Sequence, residues 1–361
     1  MSNDRRHVAV LMGGASGEHS ISLRSAAAVT EALEQAGHAV MPLGITRGGS
    51  WRTGDFGDLL AAARGELVEV GEDLGRPVTL VRDGDQVRTM PLQGPLRASE
   101  GRPIDVVFPI LHGPGGEDGT LQGQLEMLGV PFVGAGCRAS ALAMDKIASK
   151  VLCAGAGLAQ VDFLVAGERD ADGLAAAIDA AFGFPCFVKP AALGSSVGIS
   201  RVETSAELGA ALDEARRWDA RVIIERAVDV REIELALLGN ETPEFSPAGE
   251  IIIRSGFYDF ESKYVNDSAE LVAGAEVASE QRDAMQAIAR EFWQLIGCRG
   301  MARADFFVER SSGRVLFNEF NTIPGFTAIS MYPRLWNEAG VDLPQLVARL
   351  IDLALRSAPG R

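Results

Sequence analysis

The sequence predicts a multidomain α/β protein, and three observations carry that expectation. Residues 7 to 45 run strand (Val8 to Met12), glycine turn (Gly13-Gly14), helix (Ile21 to Gln35) and strand (Ala39 to Ile45), which is one βαβ unit. Two further apolar strands, Val106 to Leu111 and Phe182 to Pro190, each run into a loop rich in glycine and small residues. Near the C-terminus, Met301 to Thr322 alternates polar and apolar residues on both sides of Ser311-Ser312-Gly313, the pattern of a β-hairpin.

Length and composition set the outer limits. The 361 residues leave room for two or three domains with a substantial core, and 47% hydrophobic with 23% charged residues is ordinary for a globular enzyme-sized chain. A formal charge of -15 argues against a binder of phosphate backbones, which needs concentrated Lys and Arg. The apolar run after His7 is too short for a signal segment and no run reaches membrane-spanning length, so a cytoplasmic protein is expected. Cys137, Cys153, Cys186 and Cys298 are scattered without a Cys-x-x-Cys pair and are expected to be buried thiols.

Taken in order, the first glycine turn could hold an anion on backbone amides, but the dinucleotide fingerprint Gly-x-Gly-x-x-Gly and its acidic ribose anchor are absent. Glu18, between turn and helix, reads either as a first-turn acid favoured by the helix dipole or as an anchor for a substrate amine. Residues 47–103, with a weak helix (Phe56 to Arg64) and a hairpin around Asp83-Gly84, read as an elaboration rather than core. The strand ending at Leu111 delivers His112 and Gly113-Pro114-Gly115-Gly116 to the edge where ligands collect in open α/β sheets, before the helix Leu121 to Leu128. Ser140 to Ala154 reads as one helix carrying Lys146 and Lys150. Residues Ala191 to Ile199 form a small-residue loop able to close over phosphate, with Lys189 beside it. After the helix Ala206 to Trp218, the strand Val222 to Glu225 ends in Arg226-Ala227-Val228, where Glu225 is either an edge-strand acid or part of a nucleotide hinge. Glu232 and Glu234 alternate on the next strand, the polar stretch Val265 to Gly274 reads as a mobile lid, and Ser279 to Ile296 as a helix.

On the hairpin, a three-residue turn centred on Ser312 pairs Arg310 with Arg314; counting back sets Asp305 opposite Glu319 and Arg303 opposite Asn321. Two facing carboxylates repel unless a cation lies between them. Either Arg303 neutralises a solvated face, or Asp305, Glu319 and the Asn321 carbonyl form an incomplete oxygen shell suited to Mg²⁺, completed by phosphates and water.

The loop Gly194-Ser195-Ser196-Val197-Gly198 also matches Gly-x-Ser-x-Gly, the nucleophile elbow of serine hydrolases. That reading fails on two counts. Ile199 to Val202 alternates like a strand where a helix is required, and His7, His19, His38 and His112 all precede Ser196, whereas that fold needs a later histidine.

The ordered set Gly13-Gly14 with Glu18, Leu111-His112-Gly113, Gly116-Glu117-Asp118-Gly119-Thr120, Met144-Asp145-Lys146, Val188-Lys189-Pro190, Gly194 to Gly198, Lys263-Tyr264, Arg303-Ala304-Asp305 and Asn318-Glu319-Phe320-Asn321-Thr322 resembles the D-alanine-D-alanine ligase family. The resemblance covers nearly the whole chain. It implies an ATP-grasp fold: a Rossmann-like α/β domain (1–136), then two α+β domains (137–228 and 229–361) that clasp ATP. It implies ATP-dependent joining of two D-alanine molecules through a D-alanyl phosphate, supplying peptidoglycan precursor, by a homodimer.

Carried over position by position, the resemblance implies that Lys146 and Lys189 contact phosphates, Glu225 and Val228 the adenine and Glu232 the ribose. Asp305, Glu319 and Asn321 would hold two Mg²⁺, with Mn²⁺ able to substitute. Glu18 would hold the first ammonium near His112, Arg303 and the Gly325 amide the tetrahedral oxyanion, and Ser330 and Met331 the second carboxylate. Ser195 and Tyr264 would link Glu18 to a closing loop. Family members that make D-alanyl-D-lactate lack a Tyr at the position of Tyr264, so D-alanine is the expected nucleophile. Ala192, Ser20-Ile21-Ser22 and the lack of a Pro after Tyr264 depart from the common family pattern.

Overall fold

The computed structural model describes residues 5–93, 101–167, 171–194, 196–253 and 269–357. The elements fall into three sheets in chain order. The first is built from β1 (His7–Gly13), β2 (Ala39–Ile45), β3 (Trp51–Thr53), β4 (Arg76–Asp83), β5 (Gln86–Pro91), β6 (Pro103–Ile104) and β7 (Val106–Pro109), with helices α1 (His19–Gln35), α2 (Gly57–Ala63) and α3 (Thr120–Leu128). Its order is β6-β5-β4-β3-β2-β1-β7, and β1 runs parallel to both β2 and β7. Helices α4 (Cys137–Met144) and α5 (Lys146–Gly155) lead to β8 (Phe163–Val165), α6 (Ala171–Ala181), β9 (Cys186–Pro190), β10 (Ser200–Val202), α7 (Leu208–Arg216) and β11 (Val222–Arg226), a four-stranded sheet of order β10-β9-β11-β8. The third sheet holds β12 (Val230–Gly239), β13 (Glu244–Phe245), β14 (Gly249–Ile253), β15 (Ala269–Ala273), β16 (Gly300–Glu309) and β17 (Val315–Asn321), with α8 (Ser279–Ile296), α9 (Met331–Glu338) and α10 (Leu343–Arg356). There β12 lies between β14 and β16, and β17 pairs with β16.

The cores do not follow the sheets one to one. Val8, Leu23 and Phe108 of the first unit share one buried cluster with Leu238, Phe326, Tyr332 and the α10 residues Leu346, Leu350 and Ile351. The middle sheet has a cluster of its own around Leu174, Val188, Leu212 and Ile224. A third cluster seats α8 on β16 and β17 through Phe292, Trp293, Phe306, Phe317 and Phe320. Among the described residues, no helix is long and apolar enough to cross a membrane.

Several expectations need correction. Residues 47–103 are no appendage: they supply β3 to β6 of the first sheet, and Phe56, Leu60 and Val70 enter the core. The helix expected over Ser140 to Ala154 is two helices, broken at Asp145, whose backbone is extended and whose side chain caps α5 by accepting from the Ala148 amide at 3.0 Å. The cap wins because the Lys146 amide is also engaged, donating to Ala191 O at 2.8 Å. The stretch expected as a lid ends instead in β15: Ala269–Ala273 pairs with β14, and Leu271 packs on the core. The remainder of that lid lies outside the described residues. Cys153, Cys186 and Cys298 are buried thiols as expected, but Cys137 is half-exposed.

The hairpin register is reached by a different count. Glu309 donates to Arg314 O at 3.0 Å and Val308 pairs with Val315, so the turn holds four residues and not three. Continued unbroken, that register would set Asp305 opposite Asn318 and turn Glu319 toward the core. A bulge between Asp305 and Phe306 absorbs one extra residue of β17, and beyond it Asp305 faces Glu319 and Arg303 faces Asn321. Phe317 and Phe320, fully buried on either side, fix this switch; Phe317 packs on Phe292 at 4.8 Å and on Phe306 at 6.0 Å between ring centroids. Phe317→Ala is expected to cost about 3–5 kcal/mol, lowering the urea midpoint. A loss below ~1 kcal/mol would mean that the aromatic cluster does not hold β17.

Candidate active site

A cleft of about 1050 Å³ is lined by residues from all three units. Every candidate residue within the described part of the chain reaches it: Glu18 and His112 from the first unit, Lys146, Lys189, Glu225 and Val228 from the second, and Glu232, Arg303, Asp305, Glu319, Asn321, Gly325, Ser330 and Met331 from the third. Ser195 and Tyr264, with Lys263, lie outside the described residues.

The floor of the cleft is a row of charge across three hydrogen-bonded strands. Glu234 on β12 is the register partner of Asp305 on β16, which is the partner of Glu319 on β17. Arg303, two residues along the same face, donates from Nε and Nη2 to the two Asp305 oxygens at 2.7 Å each, and its Nε lies 3.1 Å from Glu234 Oε1. Burial alone would weaken the guanidinium's hold on its proton, but Asp305 and Glu234 together raise it well above the ordinary value, so Arg303 stays charged. Lys146 Nζ stands 3.8 Å from Glu319 Oε2. Asn321 Oδ1 accepts from the Ile323 amide at 3.0 Å, which leaves that oxygen a second lone pair.

This donor set fits a hard cation. Among the described residues, no three His, Cys, Asp or Glu side chains form a closed metal cage. Two facing carboxylates and an amide oxygen make an open shell instead, of the kind that needs ligand and water oxygens to be completed.

Beside the carboxylate row, the break at Asp145 turns Lys146 inward, and its Nζ donates to Leu193 O at 2.8 Å, tying it to the small-residue loop. In that loop Ser196 has φ +57°, the left-handed region. Gly198 must lack a side chain, because a Cβ there would lie 2.7 Å from Trp218 Cδ1 and 2.9 Å from Pro190 Cγ. The loop leads into the strand β10 and not a helix, which disposes of the nucleophile elbow.

Behind the loop, Glu225 is only 2% exposed and lies between two lysines, with Lys189 Nζ at 2.6 Å and Lys150 Nζ at 3.2 Å. Burial would push the Glu225 carboxyl up, yet Lys150 and Lys189 outweigh it and hold it down at about 2. Lys150 is lowered by burial, with Glu225 offsetting this only in part, while for Lys189 the carboxylate prevails over burial.

The amino-terminal end is also charged. Glu18 caps α1 without a side-chain bond to the helix, and its Oε2 lies where methyls placed on Gly113 and Gly194 would be 3.4 and 3.7 Å away, so it stands between the two glycine loops. His112 Nδ1 faces Glu117 Oε1 at 3.2 Å. Burial lowers the imidazole's affinity for its proton, and Glu117, with Glu18 behind it, more than restores it; Glu117 is itself raised, by burial and by Glu18. The cluster therefore holds protons tightly, and a substrate ammonium would supply the same positive charge. The first glycine turn binds no anion through these amides, because the Gly13 amide donates to Ser22 Oγ at 2.8 Å and the Gly14 amide to Ile45 O at 2.8 Å. His19 is structural, bonded through Nδ1 to Gly14 O and through Nε2 to the Val70 amide.

Past β17, a Cβ on Gly325 would lie 2.7 Å from Ser330 Oγ. Ser330 Oγ is 2.8 Å from Thr327 Oγ1 and accepts from the Thr327 amide at 3.1 Å, closing a tight turn onto the start of α9. Ser330 and Met331 are the cap and first residue of that helix, whose open amides suit a carboxylate.

Sequence reasoning gave no role to Glu117, Lys150 or Glu234. Lys150 lies one helical turn after Lys146, and Glu234 alternates with Glu232, so local spacing marked both. What was missing is the pairing of β12 with β16, which joins residues about 70 apart.

Taken together, a first unit whose mixed sheet is parallel at β2-β1-β7, two further α/β units around one cleft, paired lysines and a carboxylate row define a nucleotide-dependent ligase of the ATP-grasp type. The family comparisons agree. The model of the D-ala D-ala ligase N-terminus matches residues 7–135 and that of the D-ala D-ala ligase C-terminus residues 152–352. The chain belongs to the D-ala D-ala ligase family. It is 41% identical to a D-alanine–D-alanine ligase of a Thermoanaerobacter species, over 98% of both chains, and 39% identical to one from Acetivibrio thermocellus, over 98% of this chain and 96% of that one. Among solved structures it is similar to the D-alanine-D-alanine ligase of Coxiella burnetii (35% identity, TM-score 0.81, covering 98% of this chain and 94% of that one) and to the VanG D-Ala:D-Ser ligase of Enterococcus faecalis (33%, 0.83, 97% and 100%).

The buried lysine–glutamate group gives a prediction. Glu225→Gln leaves two buried ammonium groups without their carboxylate and is expected to destabilise the fold by about 3–5 kcal/mol at neutral pH. Because the folded carboxyl sits at about 2, below the ordinary 4.5, the stability it contributes is fully present above 4.5 and is lost as pH falls toward 2. The gap in urea midpoint between wild type and variant should therefore shrink through that window, and a gap that stays constant down to pH 2 would rule out an ionised Glu225.

Proposed function

We propose that the cleft joins two D-alanine molecules into D-alanyl-D-alanine with ATP as co-substrate, in support of peptidoglycan synthesis. The observation that carries this reading is the facing pair Asp305 and Glu319 beside Arg303, directed into a cleft that also holds Glu18 and Lys189. The chain divides into units 1–136, 137–228 and 229–361, with ATP between the last two.

Each charge of the reaction has a partner. Glu225 and the Val228 backbone take the adenine, Glu232 the ribose, and Lys146 and Lys189 the phosphates. Glu18, beside His112 and Glu117, holds the ammonium of the first D-alanine, whose carboxylate receives the γ-phosphoryl group and becomes an acyl phosphate. The amine of the second D-alanine, its carboxylate seated on the start of α9 at Ser330 and Met331, attacks the acyl carbon. Arg303 and the Gly325 amide stabilise the oxyanion that forms; the carbon–oxygen bond to phosphate then breaks with its electron pair going to phosphate, and the proton shed by the attacking nitrogen passes to the departing phosphate. Asp305, Glu319 and Asn321 would hold two Mg²⁺, or Mn²⁺ in their place, which when bound neutralise phosphate charge. Ser195 and Tyr264, which lie outside the described residues, are proposed from the family resemblance alone as the link between Glu18 and a water-excluding segment. The working form is a cytoplasmic homodimer.

Purified protein given ATP, Mg²⁺ and D-alanine should release phosphate and dipeptide in equal amounts. With D-alanine, D-serine and D-lactate offered together near pH 7, the D-alanyl-D-alanine product should predominate, and predominance of another product would overturn the choice of nucleophile. Asp305→Asn and Glu319→Gln should each lower kcat by roughly 10² to 10³ while the fold persists, as judged by circular dichroism. Near-normal turnover in both variants would remove the metal assignment.

A further inference from the structure

The turn that presents the Gly325 amide is fastened to the first unit through Phe326. Phe326 packs its ring edge-on against Phe108 of β7, with centroids 5.8 Å apart, and against Tyr332 at 5.6 Å. Its amide donates to Ser25 Oγ, on α1, at 3.3 Å. The same Ser25 oxygen lies 3.4 Å from His112 Nε2, and the opposite ring nitrogen of His112 faces Glu117. The His112 ring also meets the Ile323 backbone, just past Asn321. Ser25 is fully buried, lines no part of the cleft and touches none of the reacting groups assigned above. Its hydroxyl nevertheless joins the histidine near the first substrate to the residue directly after the oxyanion donor.

We propose that Ser25 is a positioning residue for the second, bond-forming step. By accepting from the Phe326 amide while held by His112, it fixes where the Gly325 amide points relative to the acyl carbon. Ring packing alone sets the depth of Phe326 but leaves the 325–326 peptide free to turn about ψ of Gly325, and that torsion carries the preceding 324–325 peptide, which holds the Gly325 amide, with it. An oxyanion donor must meet an oxygen that exists only in the transition state, so a small tilt is costly. Phosphoryl transfer to the first carboxylate depends instead on Lys146, Lys189 and the carboxylate row, which Ser25 does not contact, and on Glu18 beside His112, which keeps its own contact with Glu117 when the Ser25 hydroxyl is removed. Loss of the hydroxyl should therefore let the acyl phosphate form yet slow its capture by the amine. The stalled acyl phosphate is then taken by water: the water oxygen bonds to the acyl carbon, the carbon–oxygen bond to phosphate breaks with its electron pair going to phosphate, and a water proton passes to solvent. D-alanine is regenerated and ATP has been hydrolysed without a dipeptide.

The inference rests on the ligase reading, and the test separates the two. Wild type, Ser25→Ala and Ser25→Cys are assayed for phosphate and dipeptide in parallel, with thermal melts and the KM for ATP recorded for each. In Ser25→Ala the dipeptide rate should fall roughly tenfold to a hundredfold. The phosphate-to-dipeptide ratio should rise from one to about three or more, with the KM for ATP within about twofold of wild type. Ser25→Cys, which keeps a weakly accepting sulfur near the same place, should give an intermediate ratio, and carries the test alone if the Ala variant does not fold. A ratio that stays at one, however slow the variant, overturns the inference, because a general loss of structure lowers both products together. Wild type without ATP-dependent dipeptide would overturn the ligase reading itself.

Discussion

Three carboxylates side by side on adjacent strands are the constraint around which the cleft is built. Glu234, Asp305 and Glu319 occupy neighbouring ladder positions, where like charges oppose one another. The fold tolerates them because Arg303 is held charged between two of them and Lys146 approaches the third. Everything else in the cleft is arranged with respect to this row: lysines on the side of the middle sheet, where phosphate charge would enter, and acids on the side of α1, where an ammonium would.

The distribution of cores explains how such a site can be both precise and accessible. The first and third units share one buried cluster through α10, so Glu18, His112, Arg303 and Gly325 belong to a single packed body. The middle sheet, which carries Lys189, Glu225 and the small-residue loop, packs around its own cluster. A sheet with a separate core can shift against its neighbours without breaking theirs, and it carries Lys189 and Glu225, while Glu232, assigned to the ribose, faces them from the third sheet.

Much of this was legible in the sequence. Alternation placed Asp305, Glu319 and Asn321 on one face, and the strand ends placed His112 and Lys189 at loops, because period two and glycine-rich strand exits are local signals. Less local features were not. The break at Asp145 depends on a hydrogen bond from the Lys146 amide to the Ala191 carbonyl more than forty residues away, and the involvement of residues 47–103 in the first sheet depends on pairing that their polar composition conceals. Glu234 stood in plain view on an alternating strand, but only the β12–β16 ladder turns it toward Asp305.

The hairpin also shows why a correct pairing at the site was reached from an incorrect turn. The count erred by one residue at the tip and the bulge at Asn318 restored it, so the two ends of the hairpin keep separate registers. That separation has an evolutionary consequence. In an unbroken hairpin, a one-residue insertion or deletion at the tip would rotate every side chain behind it to the opposite face. Here a change of that kind can be taken up by gaining or losing the bulge before it reaches Glu319. The tip around Ser311 and Ser312 is thus free to vary in length among descendants of the same ancestor, while the acidic row a few residues away is inherited intact.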